Sequence, residues 1–595
     1  MINRLTRQIE RVEKKIQEQQ RISARYSWAR LIISIIAALL VMTALFYTSN
    51  VLSWLAFALF CVTFIILAYF HYRVKRRIVL YRLFCRIKQD HINRIELRWE
   101  KLPNKIKISR SNHSFENDLN ITGEFSLYRL LDNTTTSGGA DYLLTWLTEE
   151  APQYEEVTNR QRLVKELTPL FRFSDKLSFF TQYNDDKNFN GAKLVSRMDN
   201  HIANKIPRWL LPTLILFSAL NVVLFTAFYY HYLPAYFSVT LIVYIGLFLV
   251  NGRFIKNLLN EAADLSAEFV KINKVLLFIE KFSFKERALS DLAAVVKKEP
   301  PSADLRRINQ LLIFIGLRAN PLVQIVVNLI FPLDYILNYL LLEQERALSK
   351  RLPLWLDVWY RFDALSALSG FSWSHPEYCF PDINNKAAKK RRTLLKAKNL
   401  AHPLLPYKKR VANDFIMQEG AEIALITGSN MSGKSTFLRT VGINMILAYA
   451  GTAVCARQFS LKLLRLLTCI NISDSLGEGI SYFYAEVKRL KLILQQNESI
   501  FFLIDEIYRG TNNRERLIGS KAVIKALAEK DDAGIISTHD LELTALENEI
   551  KKLHNYHFRD KVSDGKMIFD YKLHDGPCPT TNALKIMQAE GLPVT

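Results

Sequence analysis

The sequence predicts a multidomain protein in which α-helical transmembrane hairpins and a helical core or lever region precede a C-terminal α/β domain. Its 595 residues exceed the size of a single hydrophobic core. The first half contains two pairs of uncharged apolar runs, each run long enough to cross a bilayer. The last third contains short apolar runs typical of buried strands, and polar residues follow each of them.

The N-terminal segment, residues 1–30, is predicted to form a charged helix. Leu5, Ile9, Val12 and Ile16 recur at a 4-3-4 spacing, which places them on one helical face. A short coiled-coil seam and a helix lying on the membrane surface both explain this spacing.

The four apolar runs form two predicted transmembrane hairpins. Residues 31–47 pair with 51–70, and residues 209–230 pair with 233–250. A hairpin buried in a protein core is the alternative, but two such runs in succession favour lipid. The first pair is not a cleaved signal, because a charged helix precedes it and no small-residue cleavage pattern follows.

Basic residues flank the outer ends of both hairpins and are absent from their connecting loops. The flanking residues are Arg21, Arg25, Arg30, Arg73, Lys75, Arg76, Arg77, Lys205, Arg208, Arg253 and Lys256. The positive-inside bias predicts a multi-pass protein of the plasma or inner membrane with its soluble segments in the cytoplasm. The net charge of +22 agrees with basic membrane flanks or with an anionic partner. Six cysteines without a C-x-x-C pair indicate reduced thiols.

Residues 257–350 are predicted to form long helices. The apolar run 322–333 contains Gln324, Asn328 and Pro332, so it is interpreted as buried in protein or grazing the membrane. A fifth span is the less favoured alternative. A basic run follows further on, and it either contacts DNA phosphates or anionic lipid headgroups or is simply solvated. Its members are Lys386, Lys389, Lys390, Arg391, Arg392, Lys396 and Lys398.

The strongest signal is the stretch ITGSNMSGKST at residues 426–436, which matches G-x-x-x-x-G-K-[ST]. Glycines let such a loop curl until its N–H groups face phosphates, with a helix N-terminus behind them. Lys434 is expected to neutralise the β- and γ-phosphates, and the Ser435 hydroxyl is expected to bind Mg²⁺. The predicted nucleotide-binding residues are Gly428, Ser429, Asn430, Met431, Ser432, Gly433, Lys434, Ser435 and Thr436.

Two further strand-like runs end in residues suited to phosphate chemistry. Residues 500–504 lead into Asp505 and Glu506, and residues 534–538 lead into His539. Asp505 is predicted to hold Mg²⁺ and Glu506 to polarise the attacking water. His539 is predicted to sense the γ-phosphate. Solvated acids and a structural histidine are the alternatives for these residues taken singly.

These segments together resemble the ATPase domain of the MutS family. The family pattern is close to TGPNMGGKST, DEIGRGT and a strand-terminal TH, against TGSNMSGKST, DEIYRGTNNRE and STHD in this chain. Residues 473–486 resemble the family segment that reaches across a dimer, and residues 582–593 resemble its closing helix. Residues 125–139, with Arg160 and Gln161 after them, resemble the start of the family's helical core.

The resemblance implies a P-loop NTPase fold of the ABC/MutS type, with ATP and Mg²⁺ as cofactors. It implies a homodimer in which Ser481 and Glu486 contact the partner's nucleotide, and it places Asn413 near the adenine. Lys434, Glu506 and His539 are the candidate catalytic residues. The implied partners are ATP, a second copy of the chain and membrane lipid, with DNA as a further candidate.

The chain departs from the family's mismatch-repair members in two places. Those members carry an N-terminal domain with a Phe-x-Glu wedge and a clamp within the helical core, whereas membrane hairpins occupy both places here. These departures argue against mismatch recognition but not against the ATPase. The sequence predicts a membrane-anchored MutS-like ATPase that hydrolyses ATP in a dimer-composite site and couples it to a conformational change, with mismatched or structured DNA as a candidate target. A membrane ATPase with a protein or lipid partner is the alternative. An ABC-type transport ATPase is disfavoured, because L-S-G-G-Q is absent.

Six segments summarise the predicted organisation. They are an N-terminal charged helix (1–30), a transmembrane hairpin (31–72), a cytoplasmic helical segment similar to the MutS core (73–205), a second transmembrane hairpin (206–252), a helical lever or core (253–385) and a MutS-like P-loop ATPase domain (386–595).

Overall fold

The computed structural model describes residues 1–46, 51–103, 113–183, 189–203, 207, 209–317, 321–384, 393–420, 422–471, 482–563 and 566–579. The chain divides into two compact units, Met1–Lys105 and Ile106–Thr595. Ser481, the residues 386–392 of the basic run and the predicted closing helix at 582–593 lie outside the described residues.

The first unit is built on two long helices, α1 (Ile2–Phe46) and α2 (Val51–Ile95). Neither helix contains proline or glycine. The backbone hydrogen bonds therefore continue without a break from the charged part of each helix to its apolar part. The charged segment and the first apolar run are therefore one continuous helix, and α2 likewise continues through the predicted boundary at residue 72. Leu5 and Ile9 are buried, as a packing seam requires.

The second unit begins with a helical region. Its helices are α3 (Leu127–Leu131), α4 (Ser137–Leu147), α5 (Tyr154–Leu167), α6 (Phe171–Gln182), α7 (Gly191–Ala203), α8 (Leu210–Tyr229), α9 (Phe237–Lys281), α10 (Arg287–Lys298), α11 (Pro301–Leu317), α12 (Pro321–Ile330), α13 (Leu333–Ser349) and α14 (Leu352–Ser374). Helix α14 forms the centre: it packs against α4, α5, α6 and α10 and buries Trp355, Trp359 and Phe362. Helix α9 runs from the last apolar run into this region, through the predicted boundary at residue 252.

Three helices of the described part are long and apolar enough to cross a membrane by length and composition. They lie within Ile2–Met42, Phe57–Ile95 and Leu210–Tyr229, and the bent pair Phe237–Val250 and Ile255–Glu261 would make a fourth. Many of their large apolar side chains are exposed; Leu59, for example, is 67% and Ile242 70% exposed.

One buried carboxylate joins the start of α4 to α14. Asp363 is 1% exposed, and its Oδ2 accepts the N–H groups of Thr135 at 2.9 Å and Thr136 at 2.8 Å. The Thr136 hydroxyl donates to the same oxygen at 2.6 Å. A Cβ at the neighbouring Gly138 would lie 2.3 Å from the Tyr360 ring, so only glycine permits this approach.

The C-terminal part of the second unit is an α/β domain. Its strands are β1 (Asp382–Asn384), β2 (Thr393–Leu400), β3 (Asn413–Gln418), β4 (Ile423–Thr427), β5 (Gln458–Lys462), β6 (Arg465–Cys469), β7 (Ile500–Asp505), β8 (Ala533–Ser537), β9 (Leu553–Ser563) and β10 (Lys566–Asp575). Its helices are α15 (Lys434–Tyr449), α16 (Tyr482–Leu494) and α17 (Asn513–Ala528).

The strands form a four-stranded and a six-stranded sheet. The small sheet has the order β1-β5-β2-β3, and the large one has the order β10-β9-β4-β8-β7-β6. Strands β9, β4, β8, β7 and β6 are parallel, and β10 is antiparallel to β9. Every residue of β4, β7 and β8 is buried, which explains why these strands appear in the sequence as unbroken apolar runs.

We predict that Asp363→Ala lowers the free energy of unfolding by about 3 kcal/mol, because it leaves two buried N–H groups and two hydroxyls without their acceptor. Tryptophan fluorescence during thermal unfolding of the detergent-purified protein measures this. Asp291→Ala, which changes an exposed residue of α10, is the matched control and should leave the midpoint unchanged. Equal midpoints for the two variants would contradict the role assigned to Asp363.

Candidate functional site

The residues between β4 and α15 form a tightly curled loop. Gly428, Met431 and Gly433 have positive φ angles of 148°, 68° and 109°. A Cβ at Gly428 would lie 2.7 Å from the Phe558 carbonyl oxygen, so the backbone approach there requires glycine. Gly433 is the N-cap residue of α15. Because glycine has no side chain, it cannot accept a hydrogen bond from the first N–H groups of the helix.

The Lys434 side chain lies inside this loop. Its Nζ donates to the Gly428 carbonyl at 2.7 Å and to the Ser429 carbonyl at 3.0 Å, and the residue is 5% exposed. Burial lowers the pKa of the Lys434 ammonium, and the nearby carboxylates of Glu506 and Asp505 oppose that shift. The buried Lys434 ammonium therefore interacts with two acids that lie at the end of β7.

Two loop hydroxyls are buried without a hydrogen-bond partner among the described residues. They are Ser429 Oγ and Ser432 Oγ. Ser435 is half-buried in the first turn of α15, whereas Asn430, Met431 and Thr436 are exposed. Unpaired hydroxyls and uncapped helix N–H groups are donors that suit an anion such as a phosphate.

The predicted acids lie at the same edge of the sheet as the loop, but β8 separates β7 from β4. Asp505 is 6% exposed, and its Oδ1 accepts the hydroxyl of Ser537, the last residue of β8. The sequence predicted both strands, but it gave no order for them in the sheet. Ser537 thereby fixes the Asp505 carboxylate from the neighbouring strand.

Glu506 and His539 are brought together beside Asp505. The Glu506 backbone has a φ of 57°, and its N–H donates to the Ser537 carbonyl at 3.0 Å. His539 Nδ1 lies 3.5 Å from Glu506 Oε2. Arg509, which the sequence analysis did not single out, joins the acids: its Nη2 lies 2.8 Å from Asp505 Oδ2 and its Nε 3.1 Å from Glu506 Oε2.

A cavity of about 440 Å³ opens beside the loop. Its lining includes Gly433, Thr436, Phe437, Tyr571 and His402. Burial, with Arg410 and Arg439 nearby, lowers the pKa of His402 to about 4, so its ring is neutral at physiological pH.

Asn413 lies in the wall of this cavity, and backbone groups of β10 engage its amide. Its Nδ2 donates to the Tyr571 carbonyl at 3.0 Å, and its Oδ1 accepts the Leu573 N–H at 2.9 Å. Asn413 therefore positions Tyr571 at the cavity wall.

Glu486 is bound within its own chain. It is 2% exposed, and its carboxylate accepts the N–H of Tyr508 at 2.5 Å. Burial raises the pKa of this carboxyl group. The structure thus places Glu486 under the turn that follows Asp505 and Glu506, and a contact with a partner's nucleotide requires it to leave this position.

A second missed residue, Asp118, holds the edge of the large sheet. Its carboxylate accepts the Thr468 hydroxyl at 2.6 Å and the N–H groups of Ile470 and Asn471, both at 3.0 Å. Its carbonyl accepts Arg439 Nε at 3.1 Å. No local sequence pattern marks this residue, because its partners lie more than 300 positions away in the chain.

Comparison with known proteins finds similarity in the C-terminal region. The family model described as MutS domain V matches residues 424–595. The DNA mismatch repair protein MutS of Lactobacillus delbrueckii subsp. bulgaricus is 33% identical over 267 residues, 43% of this chain and 30% of that protein. The MutS of Geobacillus thermodenitrificans is 30% identical over 270 residues, 44% of this chain and 29% of that protein.

The chain thus spans less than a third of the length of these relatives. A third, the DNA mismatch repair protein MutS of Listeria monocytogenes, is 34% identical over 226 residues, or 26% of its length. The matched part contains the loop, both acids and the histidine described above. Residues 424–595 thus match MutS domain V, and this similarity supports a MutS-family protein.

Proposed function

We propose that the chain is a membrane-anchored MutS-like ATPase with a P-loop NTPase domain. It binds and hydrolyses ATP in a site that a second copy completes, and it couples this reaction to a movement of its helical region. The observation that carries the proposal is the curled loop at 428–433, which encloses Lys434 and lies at the same sheet edge as Asp505 and Glu506.

The loop supplies the phosphate site. Ser429 and Ser432 offer buried hydroxyls without another partner among the described residues, and the N-terminus of α15 offers N–H groups. Asn430, Met431 and Thr436 complete the loop around the triphosphate. Lys434 exchanges its two carbonyl acceptors for phosphate oxygens, which offset its charge better than carbonyls do.

The residues present fit a magnesium ion. Ser435 contributes a hydroxyl and Asp505 a carboxylate, which are oxygen ligands of the kind that Mg²⁺ prefers. Bound Mg²⁺ offsets charge on the phosphate oxygens. Glu506 orients the attacking water and accepts its proton, and His539, 3.5 Å away, faces the same carboxylate and senses the γ-phosphate.

The cavity beside the loop takes the base and ribose. Phe437 and Tyr571 supply aromatic surface, and the neutral ring of His402 adds no charge. Asn413 acts here by holding Tyr571 in the wall.

The dimer contact is assigned to the segment before and within α16. Ser481 and Glu486 approach the partner's nucleotide, so the site becomes whole when two domains meet. Glu486 exchanges the Tyr508 N–H for that contact, which frees the turn after Asp505 and Glu506. This exchange links pairing to the position of the acids.

The exposed apolar helices support membrane anchoring. Leu31, Leu216 and Val250 are 50%, 67% and 72% exposed, and water disfavours so much apolar surface. The basic flanks of both hairpins orient the ATPase toward the cytoplasm. The six segments of the sequence analysis remain our proposal for the domain organisation.

DNA is the proposed binding partner on which the ATP-driven movement acts. The similar proteins carry the name DNA mismatch repair protein, and Lys396 and Lys398 belong to a basic run at the start of the ATPase domain. A protein or lipid partner is the competing proposal, because membrane hairpins stand where the family's mismatch-reading parts are found.

We predict that Lys434→Ala weakens ATP binding and that Glu506→Gln preserves binding but slows hydrolysis about a hundredfold or more. Phosphate release and equilibrium binding by the detergent-purified protein measure both. Glu529→Gln, an exposed acid just after α17, is the matched control and should behave as wild type. Unchanged hydrolysis in either site variant would refute the proposed roles.

We predict that Gly428→Ala abolishes tight ATP binding, because the added Cβ meets the Phe558 carbonyl and the loop must open. Gly420→Ala is the control: its φ is also positive, at 95°, but nothing lies within 4 Å of the added atom. Titration with a fluorescent ATP analogue compares the two. Equal affinities would show that the loop's curvature is irrelevant to nucleotide binding.

We predict that the full chain retards duplex DNA at low salt and that added salt weakens the binding steeply. Replacing Lys396 and Lys398 by glutamine should weaken binding to every DNA alike, since phosphate contacts carry no sequence information. Gel mobility with duplex, mismatched and branched DNA, with and without ATP, measures this. No retardation of any of the three would favour the protein or lipid partner.

A further inference from the structure

Helix α12 is bonded to the middle of the second apolar hairpin. The Ser218 hydroxyl of α8 donates to the Ile330 carbonyl at 2.6 Å. The Tyr244 hydroxyl of α9 donates to the Asn328 carbonyl, also at 2.6 Å. Ser218 and Tyr244 are both buried, so these contacts lie inside the helix packing.

The depth of these contacts follows from the hairpin geometry. Ser218 lies about 12 Å along α8 from Leu210 and about 16 Å from Tyr229, at a rise of 1.5 Å per residue. The Thr240 hydroxyl donates to Asn221 Oδ1 at 2.5 Å, and this antiparallel pairing sets Tyr244 at nearly the level of Ser218. Both hydroxyls therefore lie near the middle of the proposed bilayer core.

The chain then turns back. Helix α12 has 10 residues, about 15 Å, which is half of a bilayer core. It ends before Phe331 and Pro332, and α13 begins at Leu333. The Tyr335 hydroxyl donates to the Phe248 carbonyl at 2.7 Å. Phe248 lies one turn beyond Tyr244 on α9, in the direction of Arg253 and Lys256.

Apolar side chains cover the outside of this turn. Ile313 and Phe314 of α11 are 66% and 57% exposed, and Val326, Ile330 and Phe331 are 56%, 57% and 48% exposed. Such surface suits lipid and disfavours water. The broken backbone itself is acceptable at membrane depth only where protein buries it or where it lines a cavity.

A cavity of about 410 Å³ does lie between α9 and α12. Tyr244, Lys256, Gln324 and Asn328 form its polar part, and Ile245, Phe248 and Leu329 form its apolar part. Lys256 is exposed and lies twelve residues beyond Tyr244, at most about 18 Å along α9, which brings it to the headgroup level.

The charge of this lining is positive. Lys256 is the one charged side chain among the residues that line the cavity. The neighbouring carboxylate of Asp334 accepts Gln324 Nε2 at 3.1 Å, and the Asp334 N–H donates to Asn328 Oδ1 at 3.0 Å. The cavity thus combines a cation and two side-chain amides with an apolar wall.

We propose that α12 is a re-entrant helix and that the cavity beside it binds an anionic phospholipid. The lipid phosphate contacts Lys256 and the amide of Gln324, and one acyl chain lies along Phe248 and Leu329. A soluble phosphate ester would leave that apolar wall uncovered. The inference rests on the proposed membrane anchoring.

The depth of the turn is tested with the photocrosslinker p-benzoylphenylalanine at position Phe331 of the full chain in native membranes. Illumination should yield a phospholipid adduct, detected by mass spectrometry. The same probe at Tyr407, which is 80% exposed in the α/β domain, should yield none. Absence of a lipid adduct at Phe331 would overturn the re-entrant turn.

Lipid selectivity is tested by native mass spectrometry of the full chain titrated with dioleoyl phosphatidylglycerol or phosphatidylcholine. Lys256→Gln should weaken phosphatidylglycerol binding about fivefold, the equivalent of the ~1 kcal/mol that one lysine contributes near a membrane surface. Lys75 is an exposed basic residue that flanks the first hairpin, and Lys75→Gln should leave the affinity for phosphatidylglycerol unchanged.

Three outcomes would overturn the lipid site: equal binding of the two lipids, an unchanged affinity in Lys256→Gln, or displacement of the lipid by glycerol 3-phosphate. A carbonate wash separates this inference from the anchoring itself. A chain that leaves the membrane pellet refutes the anchoring, whereas a chain that stays but gives no lipid adduct at Phe331 refutes the inference alone.

Discussion

The parallel pairing of β4 with β8 and of β8 with β7 is the constraint on which the C-terminal site depends. Ile426 lies opposite Ser537, and Ser537 lies opposite Asp505. Because parallel strands end at a common edge, the loop after β4, the histidine after β8 and the acids after β7 emerge together. All three strands are fully buried, so their register cannot slip without disrupting the core.

The α/β domain is joined to the helical region by buried polar contacts. Arg160 Nη1 donates to the carbonyl of Tyr449, the last residue of α15, at 3.0 Å, and Gln161 Nε2 donates to the Pro381 carbonyl at 2.8 Å. Helix α15 begins at Lys434 in the loop and is about 24 Å long. Helix α15 therefore connects the loop at its N-terminal end to α5 at its C-terminal end.

The local signals of the sequence predicted the strand, loop and helix that form the candidate site. The unbroken apolar runs and the glycine pattern identified β4, the loop and α15, because strand burial and loop curvature are short-range properties of the chain. The missed features are long-range. Asp363 meets Thr136 across 227 positions and Asp118 meets Thr468 across 350, and no periodicity reports such pairs. The boundaries at residues 30, 72 and 252 were placed where polarity changes, but helices continue there. Helices α1 and α2 contain no proline or glycine, whereas α9 continues through Gly252 with a bend of 53° between Val250 and Ile255.

The central claim is that the loop and the adjoining cavity form one nucleotide site. Photoaffinity labelling with 8-azido-ATP tests this claim most directly. The account predicts Mg²⁺-dependent labelling of peptides that contain His402, Phe437 or Tyr571, and protection by excess ATP. Labelling confined to peptides outside the cavity, or labelling that excess ATP does not reduce, would contradict it.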